Sequence, residues 1–306
     1  MERPLFHEHW WLDAVAPGAW AEACVERDGQ ERAVFPYAVR SERLGFRVLG
    51  APALTPYLGP LTDAGDGKAA TRLKRDRELQ EELLEQLPAH DVFKTTLPIE
   101  HQNWPLLAEH GWIGTPRVTY ILDGIGDTEQ TWAGFTDSTR RAIRKAEKRL
   151  VVRTDTSTAD LIRMATATFR RQGDSLPYPP SLLDRAATAA IERGQGTILT
   201  AAGADDGVHA SMLLVWDHDR AYYLVGGADP TKRESAGLSL LMWEAMKQAA
   251  AHVDRFDFEG SMVPGVERFF RGFGGRQQPY LGAMHFSRRG RVAWAARDVL
   301  VAVRGS

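Results

Sequence analysis

The chain has 306 residues, 43% of them hydrophobic and 25% charged, with a formal net charge of −2. That length can bury one large core or two ordinary ones, the composition is that of a globular protein, and the near-neutral charge makes no global case for a nucleic-acid partner. No apolar run approaches the ~20 residues needed to span a bilayer, and the start, Met-Glu-Arg-Pro-Leu-Phe-His, lacks a signal-like apolar region, so the expected compartment is the cytoplasm.

In chain order, Trp10, Trp11, Leu12 and Val15 suggest a short amphipathic helix ended by Pro17-Gly18. Trp20 to Arg27 and Arg32 to Arg40 read as strands joined across Asp28-Gly29, a strong hairpin signal. Cys24, the single cysteine, lies in the first of these and reads as an inert buried thiol. Phe46 to Leu49 continues the meander, and the prolines of Leu54-Thr-Pro-Tyr-Leu-Gly-Pro60 make a loop that could present Tyr57 to a cleft. Lys68 to Leu87 is a polar helix with an apolar stripe at Leu73, Leu79, Leu83, Leu84 and Leu87. Strands at Val92 to Leu97 and Trp112 to Leu122 flank a short helix at Trp104 to Glu109. Lys94, beside apolar Phe93 in a strand expected inside the sheet, is either an edge lysine or an acceptor-binding cation.

Beyond a boundary near residues 123–135 the pattern begins again. A basic helix at Ser138 to Leu150 is followed by a helix at Thr158 to Gln172, a proline-rich loop holding Tyr178, and a helix ending near Arg193. Strands follow at Thr197 to Ala202, His209 to Trp216 and Ala221 to Gly226, then a helix from Gly237 to His252. Phe256 and Phe258 alternate with Asp257 and Glu259 in a strand ended by Gly260-Ser261, and Val266, Phe269, Phe270 and Phe273 form a short aromatic helix closed by Gly274-Gly275. A strand at Tyr280 to Phe286 and a helix at Val292 to Val303 complete the chain. A cleft between the halves is the default ligand site.

Two stretches carry the candidate chemistry. Residues Thr139 to Arg149 hold six basic residues and one acid. Arg140, Arg144 and Lys148 share one helical face, Arg141 and Lys145 form a second cationic row, and such rows suit phosphate contacts. In the Phe-Asp-Phe-Glu-Gly-Ser turn, alternation places Asp257 and Glu259 on one strand face about 7 Å apart. There a carboxylate could orient or deprotonate an acceptor amine, or merely pair with Arg255, Arg268 or Arg271. Ser261 is the third candidate chemical group. His7-x-His9 has no Cys or carboxylate cluster beside it, so no metal is expected.

The strand, turn and aromatic helix look like the late β–α unit of the GNAT acyltransferase fold. The Phe-Glu-Gly-Ser turn, together with Thr139-Arg-Arg-Ala-Ile-Arg-Lys-Ala146, more closely resembles the FemABX-like double-GNAT proteins. The resemblance implies an α/β (α+β) chain of two tandem GNAT-like domains, each a mixed, mostly antiparallel sheet flanked by helices. Residues 1–125 and 126–288 would be the two domains, with helix 289–306 returning to the first. It implies an aminoacyltransferase that takes an aminoacyl group from aminoacyl-tRNA to an amine or hydroxyl of a small acceptor. Glu259, Asp257 and Ser261 would then be the chemical groups, and Tyr57, Lys94, Tyr178, Gly237, Arg268 and Phe270 would line the substrates. Arg140, Arg141, Arg144, Lys145 and Lys148 would meet the tRNA. No cofactor is implied.

The alternative donor is acetyl-CoA or another acyl-CoA, held at the turn before Gly237. GNAT enzymes place a basic or amide residue at the first position of that signature, where this chain has Glu234. They often place a Tyr where it has Phe270. Both departures weigh against coenzyme A, and both also fit a third reading, a catalytically inactive binding protein.

Overall fold

A computed structural model describes residues 1–154, 157–260 and 262–304, with side chains placed through residue 296. The chain forms two compact units, Met1–His7 with Ala16–Pro116 and Tyr280–Ser306, and Glu8–Val15 with Arg117–Pro279. It passes from one to the other at both ends of Glu8–Val15 and again within strands β6 (Ile113–Asp123) and β12 (Arg276–Phe286).

The first unit holds β1 (Trp20–Arg27), β2 (Gln30–Arg43), β3 (Phe46–Gly50), β5 (Val92–Thr96) and β12 side by side, with the two-residue β4 (Leu61–Thr62) on β2. Pairing is antiparallel except between β3 and β5. Asp28 and Gly29 join β1 to β2 with both φ angles positive, 54° and 71°, as a tight hairpin turn demands. Helices α2 (Ala69–Gln86) and α3 (Trp104–Glu109) contribute Leu79, Leu83 and Leu107 to a core with Phe35, Leu49, Phe93 and Trp112. Leu73, expected in the α2 stripe, is 44% exposed, because the polar first turns of α2 lie beyond that core. Helix α10 (Arg288–Arg304) ends the chain. Cys24 is half-buried, and burial together with Glu31, Glu22 and Glu26 holds its thiol protonated. Near α2, the Asp76 carboxylate accepts from Thr62, Asn103 and Gln80. His101 has a buried Nε2 with no partner among the described residues, and burial holds its pKa down to about 4 against the opposing pull of Asp76.

In the second unit the strand order is β6, β11 (Arg255–Asp257), β10 (Ala221–Ala228), β9 (Val208–Trp216), β8 (Gly196–Ala202) and β7 (Val151–Arg153). Only β10 and β11 run parallel. Ala210, Met212 and Leu214 of β9 face a core shared with α4 (Thr128–Gly134), α5 (Asp137–Glu147), α8 (Gly237–Ala249) and α9 (Pro264–Arg271). The opposite face carries α6 (Thr158–Arg171) and α7 (Pro180–Glu192), and α1 (His9–Val15) packs on α7. Buried on both faces, β9 therefore reads as a near-continuous apolar run. Sequence patterning missed α4 and β7. Among the described residues no helix is long and apolar enough to cross a membrane, and no three His, Cys, Asp or Glu side chains converge as a metal site.

Candidate active site

Strands β10 and β11 pair over two residues only, Ala221 with Phe256 and Tyr222 with Asp257. Beyond them β10 continues to Ala228 while the other strand stops, so the sheet opens. A bulge in β10 leaves Leu224 without a cross-strand partner on β9 just beyond the opening. The turn after β11 is fixed from below by Phe256 and Phe258, both fully buried, and by the Phe258 amide donating to the Tyr120 carbonyl at 3.1 Å.

Glu259 does not continue the strand as its alternation predicts. Its φ is +57°, a left-handed conformation that costs a side-chain-bearing residue roughly 1–2 kcal/mol. Gly260 follows at φ +63°, where a Cβ would lie 2.0 Å from the Val118 carbonyl oxygen, so the backbone can pass only as glycine. Asp257 and Glu259 consequently do not act as a pair of like-facing carboxylates. The Asp257 carboxylate, fully buried, accepts the Thr119 hydroxyl at 2.6 Å and the Glu259 amide at 2.8 Å. Glu259 as a whole is half-buried, but its Oε1 is buried and has no hydrogen-bond partner among the described residues. Burial, with Asp257 adding a like charge, pushes this carboxyl well above the usual glutamate range.

Two phenols are close enough to feel its charge. Tyr178, from the loop before α7, and Tyr223, from β10, are both held protonated by burial and then by the nearby Glu259 charge. The Tyr223 ring packs edge-on against Phe270 of α9 with centroids 5.7 Å apart. Thus a phenol stands next to the Phe270 position where the sequence offers no proton. Tyr223 was not among the sequence candidates. Its neighbour Tyr222 points the other way and donates to Asp217 at 2.9 Å, and strand alternation of that pair was the available signal. All three side chains are half-buried; a carboxyl and two phenols that burial holds towards their protonated forms can relay and donate protons, and the carboxyl can accept one once ionised.

The remaining candidates divide. Gly237 opens α8, but a Cβ there would lie 3.2 Å from the Ala210 Cβ, so its smallness serves the contact of α8 with β9. Its amide points to the Ser235 hydroxyl at 3.4 Å. Arg268 is exposed on α9. On α5, Ile143 and Ala146 are buried, while Arg140 turns back to donate to the Ala133 carbonyl at 2.8 Å and to Asp137 at 2.5 Å. Arg144 lies over the Trp132 ring, 5.5 Å from its centroid. Arg141, Lys145 and Lys148 are exposed. The N-terminus of α5 meets the end of α9, where the Thr136 amide donates to the Gly272 carbonyl. In the first unit, Tyr57 is 5% exposed and packs against Tyr280 and Phe6 rather than standing free on its loop. Lys94 lies on an interior strand with its side chain exposed. Ser261 lies outside the described residues.

Residues 134–271, which contain α5, the strand opening and the Glu259 turn, match the family model of the acetyltransferase (GNAT) domain. The crystal structure of FemX superimposes with a TM-score of 0.69 at 15% identity, covering 95% of this chain and 94% of that one. The fold is that of the FemX-like double-GNAT proteins. A tandem GNAT protein from the clavulanic acid biosynthesis pathway also matches, with a TM-score of 0.51 at 13% identity over 90% of this chain and 86% of that one. So does L-PGS from Bacillus licheniformis, at a TM-score of 0.50 and 13% identity over 90% and 86%. No curated protein sequence matches the chain.

Proposed function

We propose that this protein is an acyltransferase that moves an aminoacyl group from aminoacyl-tRNA to an amine or hydroxyl of a small acceptor. The observation that carries the reaction type is the Glu259 carboxyl, buried at Oε1 with no hydrogen-bond partner there among the described residues, where β10 and β11 part and with two phenols close enough to feel its charge. An acceptor amine placed there attacks the ester carbonyl carbon, a C–N bond forms, and the C–O bond to the ribose oxygen breaks. In its ionised form Glu259 takes the proton that the amine must lose, and the carboxyl so formed delivers that proton to the ribose oxygen, directly or by relay through a phenol. Atoms and charge balance with no further reactant. Positioning supplies much of the acceleration in such an aminolysis, and proton transfer adds ~100-fold or more.

The exposed row Arg141, Lys145 and Lys148 on α5, adjoining the end of α9, supports a polyanionic donor. The turn before Gly237 gives less support to coenzyme A, since Glu234 precedes it and the glycine is engaged in packing. The acetyltransferase-domain match keeps acyl-CoA-dependent N-acylation as the second reading. A cytoplasmic location, where charged tRNA resides, belongs to the same proposal.

The test incubates purified protein with tRNA charged with a mixture of radiolabelled amino acids and a panel of small amines and alcohols, in parallel with labelled acetyl-CoA. Label moving from tRNA to an acceptor is expected, and no transfer from acetyl-CoA. Turnover with acetyl-CoA and none with charged tRNA overturns the donor, and no transfer from either overturns the activity.

A further inference from the structure

The unusual feature of the Glu259 turn is that a glutamate with a positive φ is followed directly by a glycine with a positive φ, 57° and then 63°. Two successive left-handed residues take the chain at positions 259 and 260 out of both strand and helix geometry. Something must hold Glu259 there, since the residue itself prefers other backbone regions. The Phe258 amide anchors the chain one residue earlier. Hydrogen bonding at Glu259 itself comes from Asp257, whose Oδ1 accepts the Glu259 amide at 2.8 Å, and that same oxygen accepts the Thr119 hydroxyl at 2.6 Å. Thr119 and Asp257 are both fully buried. Thr119 lies on β6, two residues from Ile121, the β6 partner of Asp257.

We propose that Thr119 and Asp257 are positioning residues that clamp Glu259 in its left-handed turn and so fix where its carboxyl stands. This rests on the reading of Glu259 as the proton-transferring group. Thr119 holds the Asp257 carboxylate in one rotamer, and Asp257 holds the Glu259 amide. The backbone direction from which the Glu259 side chain leaves is thereby set. The ionisable groups close enough to feel the Glu259 charge are Asp257 from β11, Tyr178 from the loop before α7 and Tyr223 from β10. Loss of the Thr119 hydroxyl leaves all three in place, so a change in Glu259 on that substitution reports its position and not a missing charge.

The full chain is labelled with 13C at the glutamate side-chain carboxyl and 15N at the backbone, and the Glu259 signals are assigned through Glu259→Gln. Thr119→Val is expected to lower the midpoint of the Glu259 carboxyl titration by about one pH unit or more, the carboxyl having reached solvent. It is also expected to move the Glu259 amide proton upfield, while Thr119→Ser restores both values. A Thr119→Val protein whose Glu259 midpoint and amide shift match those of the parent chain overturns the clamp. Should the Val protein fail to fold, Thr119→Ala and Thr119→Ser give the same comparison, hydroxyl absent against hydroxyl present. The readout needs neither donor nor acceptor, so a failed clamp and a failed transfer reaction are told apart.

Discussion

Replacing Glu259 by Gln keeps the size of the side chain and removes its basic oxygen. Turnover should fall ~100-fold or more if the group takes a proton in the transition state. The same change should raise stability at neutral and mildly alkaline pH. The carboxyl's folded pKa lies above its unfolded value, so the folded state binds the proton more tightly. Its contribution is therefore full below the unfolded pKa and is lost as pH rises through the folded one. Melting curves of parent and Glu259→Gln at pH 5 and pH 8 should diverge at the higher pH, with the Gln protein melting higher, by about 2–4 °C for each kcal/mol relieved. A Gln variant with parental turnover per folded molecule would reduce Glu259 to a structural residue. Only part of this was legible in the sequence. The Phe-Glu-Gly-Ser string marked the place. Period-two alternation, however, put Asp257 and Glu259 on one face, because nothing local says that a glutamate will adopt a positive φ. That conformation depends on Thr119, 138 residues from Asp257 along the chain.

At the scale of the element, α5 shows how one basic face divides its labour. The spacing of Arg140, Arg144 and Lys148 made them the expected phosphate row. Yet Arg140 is spent on the carbonyl end of α4 and on Asp137, and Arg144 lies over Trp132. Arg141, Lys145 and Lys148 form the other row, exposed as Arg144 also is, with Lys148 at the helix C-cap, where a cation also meets the negative end of the helix dipole. Changing these three to Glu should weaken binding of charged tRNA by several powers of ten at low salt and flatten the salt dependence by about 2 to 3 units. Arg140→Glu alone should instead lower the melting temperature, with a smaller effect on binding. Filter binding at several salt concentrations, beside thermal melts, separates the two. Helix α4 went unread because its seven residues lie in a stretch rich in Asp and Gly that resembles a linker, although the Asp127 side chain caps it by accepting from the Gln130 amide. The strand β7 is three residues long with exposed ends, too short to show a period.

Across the molecule, the two units carry opposite pH liabilities. In the first, the buried Nε2 of half-buried His101 goes with a pKa held down to about 4, whereas an unfolded histidine titrates near 6.5. Its folded pKa is depressed, so stability is intact above the unfolded value and declines as pH falls from about 6.5 towards 4, by up to ~1.4 kcal/mol per pH unit. Urea unfolding at pH 7 and pH 5, compared with His101→Gln, should show a smaller acid loss in the variant, and an equal loss would place the acid sensitivity elsewhere. The large elements of both units were legible because amphipathic periods and turn residues such as Asp28-Gly29 are local signals. The strand parting at β10 was not, since it arises from which strand neighbours which, and the alternation that sets Tyr223 opposite Tyr222 marks a face without saying what that face meets. The left-handed backbone at Glu259 has a consequence for how this chain would drift under different pressures. Glycine meets that backbone angle without strain, and asparagine or aspartate with less than glutamate does. A population of variants selected only for surviving heat should therefore lose glutamate at position 259 in favour of those residues, while one selected for making product should keep it. Deep sequencing of the two populations would read the division of interest between folding and catalysis at a single codon.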